Sequence, residues 1–231
     1  MSIKENILPL VEQHDWDALR KLFSRMTNME FRKTEGIMRN DILPGLANDD
    51  FWEALFHLVV YRHQAFITCI LAVKHLVDDG TLSFDNRWIE ELVMFLKQKS
   101  PGALQKLMTM AIPILETESQ IDKMFCAFGF ENERNRIAAL INVTTPLAYY
   151  MLFKILKHLA DNRELVRKCC VFILKKNDEL SYNMASIVRE YFDITDIRSR
   201  FSLAVAPYEL SFIDSSYDNF KYVVTGKRPK I

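Results

Sequence analysis

Helix-start signals recur along this chain at near-constant spacing. Ser83, Ser100, Thr117, Thr145 and Asp161 each precede an apolar helical run, Asp178 and Asp193 continue the series, and Glu131 marks a further start. Successive starts lie about 14 to 17 residues apart, room for one short helix and a tight turn. The spacing predicts short helices stacked as antiparallel hairpins, in units of roughly 30 to 35 residues.

The starts read chemically. Ser2–Glu5, Thr27–Glu30, Asp50–Glu53 and Thr117–Gln120 carry the capping-box pattern or its Asp equivalent. The first side chain accepts from an orphan amide of the opening turn, and the fourth residue reaches back. Ser100–Pro101 and Thr145–Pro146 set a capping hydroxyl before a proline, whose missing N–H costs nothing at the first helical position. Asp15 opens a helix at Trp16, and Gly80 and Gly129 fit helix stops. Leu147, Met151, Ile155 and Leu159 form an i, i+4 stripe, and Ile187, Tyr191 and Ile194 repeat it. The run Phe51 to Val77 divides near His63–Gln64, or forms one long helix.

With 6 Gly and 7 Pro in 231 residues, the chain has little material for long loops. The size suits one domain or a short repeat array with a core that needs no disulfide or metal staple. The expected fold is all-α: a superhelix of short hairpins over residues 1–200, with a closed helical bundle as the alternative. After Phe201 the rhythm stops. Pro207, Ser215–Ser216, Gly226 and Pro229 alternate with Tyr208, Phe212, Tyr217, Phe220 and Tyr222. So aromatic a stretch is not free disorder. Residues 201–231 read as a terminal cap or an extended segment on the body, with a loose end from Lys227 to Ile231.

Charge and composition weigh against several function classes. The 30 basic residues balance 30 acidic ones, whereas a duplex-binding protein carries a basic excess. The run Phe51 to Val77 is interrupted by Glu53, His57, Arg62, His63, Gln64 and Lys74, so no membrane span is expected. The opening residues lack a positive n-region followed by an apolar h-region, so no signal peptide is expected. Cys69, Cys126, Cys169 and Cys170 lie in apolar helical runs without framework spacing, which reads as shielded thiols in the cytoplasm.

No catalytic, metal or cofactor motif is present. His57 and His63 are six apart and diverge on a helix; His75 and His158 have no partner at ligand spacing. No Gly-rich elbow accompanies a Ser or Cys. The acid pairs Asp49–Asp50 and Asp78–Asp79 sit at helix boundaries, where capping and the helix dipole explain them. Basic residues thicken from Lys154 to Lys176, as Lys154, Lys157, Arg163, Arg167, Lys168, Lys175 and Lys176. A solvated face is the expected role. Lys227–Lys230 is similar to a minimal basic address tag.

One stretch resembles a HEAT repeat. Asp161, Val166, Arg167, Cys169, Cys170 and Leu174 match that family's inter-helix turn and second helix, with Cys where Ala is usual. Glu30–Lys33 leading to Ile37, and Arg136–Leu140, are weaker echoes. Leu8–Pro9, Leu43–Pro44 and Ile112–Pro113 resemble the proline that bends the first helix of a HEAT hairpin. The resemblance implies a HEAT-like α-solenoid, with Asp161 and Arg167 tying neighbouring turns together. It also implies a non-catalytic scaffold or adaptor that binds another protein, with no cofactor. A nucleic-acid-directed rival is implied by the HEAT-like alkylpurine DNA glycosylases, which use tryptophans and an Asp on a basic face. Here Trp16 stands between Asp15 and Asp17, Trp52 follows Asp50, and Trp88 follows Asp85. The neutral charge makes nucleic acid the less expected partner.

Overall fold

The computed structural model describes residues 3–62, 86–99, 102–197, 205 and 207–227, with the side chains of 207 and 208 set aside. Among them are thirteen α-helices and no strand. They are α1 Ile3–Glu12, α2 Trp16–Arg25, α3 Asn28–Ile37, α4 Asn48–Tyr61, α5 Arg87–Lys99, α6 Ala103–Ala111, α7 Glu118–Ala127, α8 Glu133–Leu140, α9 Pro146–His158, α10 Arg163–Leu174, α11 Glu179–Tyr191, α12 Pro207–Ile213 and α13 Tyr217–Val224. No helix among the described residues is long and apolar enough to cross a membrane. Ser2, His63, Gln64, Cys69, His75, Asp78, Asp79, Gly80, Ser83, Asp85, Ser100, Pro101, Phe201 and Pro229 lie outside the described residues.

Local capping chemistry sets most boundaries. Asp15 accepts from the Ala18 amide at 3.0 Å to start α2. Thr27 and Glu30 close a reciprocal capping box on α3. Thr117 and Gln120 exchange bonds at 3.2 and 3.3 Å before α7. Thr145 caps α9 with Pro146 in the first turn, and Asp178 caps α11 through the Ser181 amide. Gly129 stops α7 at φ 71°, a left-handed position a Cβ would strain.

Four expected starts are corrected. Ala47 occupies the N-cap position of α4 with no side-chain bond, so Asp50–Glu53 is not a capping box. Asn162, not Asp161, caps α10 by accepting from Leu165 at 3.1 Å; an amide oxygen one residue on reaches the same orphan donor. Asn132, beyond Glu131, caps α8. Asp193 opens no helix; it follows the end of α11 at φ 50°. Of the three prolines, Pro9 lies inside α1. Pro44 and Pro113 sit in 3-10 turns, the first beyond a π-turn that extends α3 through Met38–Ile42.

The chain divides into two compact units, residues 1–114 with 122–129, and residues 115–121 with 130–231. Neighbouring helices pack in pairs along the chain in each. In the first, α1 also packs on α3 and α2 on α4, around Leu19, Phe23, Phe51, Trp52 and Leu55.

In the second, α9 is the central element. Its expected single stripe is instead an almost all-round apolar surface, with Leu147 through Phe153 and Leu156 buried. It packs on α8, α11 and α13, while α10 pairs with α11. The C-terminal stretch is therefore a helical hairpin, not an extended segment. Ser216 caps α13 through the Asn219 amide, and Gly226 ends it at φ 71°. The Phe220 ring is fully buried, 5.3 Å from Tyr150 and 5.6 Å from Phe153. Asn183 Nδ2 donates to the Val224 carbonyl at 3.0 Å, and Asp214 accepts from Lys157 and Tyr191.

Candidate functional site

Two polar clusters deserve a chemical reading, one in each unit. In the second, Arg167 on α10 places Nε 2.7 Å from Asp196 Oδ2, beyond the end of α11. The pair holds the Asp196 carboxyl below its usual range and the guanidinium above. Arg163 reaches toward the same turn, 3.4 Å from the Asp193 carbonyl. Arg167 therefore ties successive turns. Asp161 does not: it is exposed and its side chain makes no hydrogen bond or ion pair among the described residues, because Asn162 has taken the cap.

Most other cations of the basic run also have partners. Lys154 bonds Glu118 at 2.6 Å, Lys157 bonds Asp214, and Lys168 meets Glu164 at 3.3 Å. Lys176 Nζ lies 3.3 Å from both Tyr149 Oη and Thr144 Oγ1, and burial pulls its amine down to about 8. Within this run only the Lys175 amine has no partner among the described residues. The Tyr149 hydroxyl in turn meets Ser181 Oγ at 2.6 Å, and Ser181 donates to Asp178. Ser181 is fully buried at the start of α11, so this chain of hydroxyls braces α9 against α11 and offers no accessible nucleophile. Cys169 and Cys170 are buried thiols pushed up to about 11, far from reactive; Cys126, expected to be shielded, is exposed.

The first unit gathers residues that the sequence scatters. His14, in the α1–α2 turn at φ 53°, places Nδ1 2.9 Å from Glu53 Oε2 and Nε2 3.8 Å from Asp50 Oδ1. Trp16 stands edge-on to His14, with ring centroids 5.6 Å apart, and stacks on His57 at 4.7 Å. Trp88 closes the group, 5.8 Å from His57 and 5.4 Å from Phe56. The structure thus brings Trp16 and Trp88 together around a buried histidine. Trp52 is elsewhere in the core, its Nε1 donating to Asn48 Oδ1 at 3.2 Å. Burial pulls His57 down to about 4, with Arg20 adding to the shift. Among the described residues, Trp16 Nε1, His57 Nδ1 and Trp88 Nε1 are buried without a hydrogen bond. Asp49, read as a cap, accepts from Asn86 at 2.6 Å. His158 is exposed at the end of α9, where a histidine suits the helix dipole.

Sequence reasoning missed His14. Its carboxylate partners lie 39 and 36 residues on, and both read as one capping box in the sequence. The one available hint was that a small residue, Ala47, precedes Asn48 where the cap would sit.

The chain matches no family model, and no curated protein or solved structure is significantly similar to it.

Proposed function

We propose that the protein is a non-catalytic scaffold or adaptor of HEAT-like helical hairpins that binds another protein in the cytoplasm. The observation that carries this reading is the fate of the cations from Lys154 to Lys176. Most of them are paired with a carboxylate or hydroxyl, among them the Arg167–Asp196 bridge between successive turns. A surface that uses its cations this way has few left to neutralise phosphates. The same bridge is the kind of inter-turn tie the HEAT resemblance implies, one repeat length after Asp161. Large apolar side chains are left outward instead: Phe172 is 43% exposed and Tyr222 51%. Aromatic side chains of this kind supply binding energy at protein interfaces.

A paired experiment tests this. Phe172→Ser and Tyr222→Ser should retain the fold and lose partners captured by the native protein. Affinity of the native protein for random duplex DNA should be negligible at physiological salt. Tight DNA binding that falls steeply with salt and is abolished by Lys168→Glu with Lys175→Glu would overturn the proposal.

A further inference from the structure

His14, Asp50 and Glu53, from two separate elements, meet in the first unit, with Glu53 at the imidazole Nδ1 and Asp50 toward Nε2. The α1–α2 turn supplies the imidazole, and the first turns of α4 supply both carboxylates. The i, i+3 spacing of Asp50 and Glu53 places them on the same side of α4. One ligand atom from each residue lies within 4.8 Å of the others. His14 Nδ1 and Glu53 Oε2 are hydrogen-bonded at 2.9 Å, a bond that a bound ion would replace.

The two carboxylates sit in and just past the first turn of α4, where the helix dipole favours Asp50. Neither caps α4, since the cap position is Ala47 and makes no side-chain bond. Neither has a Lys or Arg within ion-pair distance among the described residues; His14 is the partner of both. With the imidazole neutral, two negative charges meet at the site, which one divalent cation balances. The side chain of Glu53 is 15% exposed and fixed, while that of Asp50 is 46% exposed and able to swing inward. Trp16 packs against the His14 ring, with centroids 5.6 Å apart and planes nearly perpendicular.

We propose that His14, Asp50 and Glu53 bind one first-row divalent transition-metal ion, with water completing its coordination. One imidazole nitrogen with two carboxylate oxygens suits zinc, cobalt or manganese better than the all-oxygen shells of calcium and magnesium. The site goes beyond the scaffold reading and stands or falls separately from it.

Titration of the full chain with Co2+ tests the site, read by calorimetry and by the visible absorption of the bound ion. One ion per chain is expected, weakened about tenfold or more by each of His14→Ala, Asp50→Asn and Glu53→Gln. Asp49→Asn, beside the site but bonded to Asn86, should leave affinity unchanged. These side chains are partly exposed, and circular dichroism verifies that each variant is folded. Absence of binding at millimolar Co2+, binding that survives His14→Ala, or equal affinity for Ca2+ would overturn the proposal.

Discussion

Replacing Phe220 by Ala tests whether the C-terminal hairpin belongs to the core of the second unit or hangs from it. The Phe220 ring is fully buried and lies within 5.3 and 5.6 Å of the Tyr150 and Phe153 rings. Truncating a buried Phe costs about 3–5 kcal/mol in transfer and cavity terms together, and aromatic pairs add about 0.5–1.5 kcal/mol each. A loss of about 4 kcal/mol is expected, and for a unit of this size it lowers the melting temperature by about 15 °C or more. Tyr222→Ala, on the exposed side of the same helix, should cost about 0.5 kcal/mol or less. Thermal unfolding by circular dichroism measures both. Hydrogen exchange in α9 and α11 locates the effect, because all three tryptophans lie in the first unit and do not report on the second. Truncation after residue 201 should act in the same direction, baring Tyr150 and Phe153 and lowering solubility. A Phe220→Ala protein that melts with the native one, or a truncated chain that melts normally, would refute the packing argument and make the hairpin a mobile arm.

Other expectations follow from single groups. His57 titrates at about 4 against an ordinary 6.5, so between these values the unfolded chain takes up a proton that the folded chain refuses. Stability is complete above pH 6.5 and falls toward pH 4, by at most about 3 kcal/mol before screening by nearby charges reduces it; His57→Phe should flatten that slope. Arg167→Glu should lower the melting temperature, and adding Asp196→Arg should restore part of it; a second change that only deepens the loss would deny the inter-turn tie. Thiol labelling with peptide mapping should modify Cys126 rapidly in the native protein and Cys169 and Cys170 only in denaturant.

Legibility in the sequence followed the range of the interaction. Thr27–Glu30, Thr145–Pro146 and Asp178 act three residues along the chain, and their chemistry is visible in a short window. The C-terminal helices were hidden by residues that look like breakers. Pro207 begins α12, Ser216 caps α13 and Gly226 ends it, so the punctuation of two short helices resembled the absence of any. Between Asp161 and Asn162, either side chain can cap; only the backbone path chooses. Arg167 was recognisable as a tie, but its partner stands 29 residues on, beyond any local pattern. The His14 cluster was illegible for the same reason and for one more: Asp50 and Glu53 already satisfied a familiar helix-start pattern.

The central functional claim, that this surface meets proteins and not nucleic acid, is tested most directly by photo-crosslinking in cells that produce the protein. A photoreactive amino acid placed at Phe172 or Tyr222 should yield discrete adducts that protease removes and nuclease leaves intact, with none from the same group at the exposed Asp161. Adducts that vanish with nuclease, or equal yields at all three positions, would contradict it.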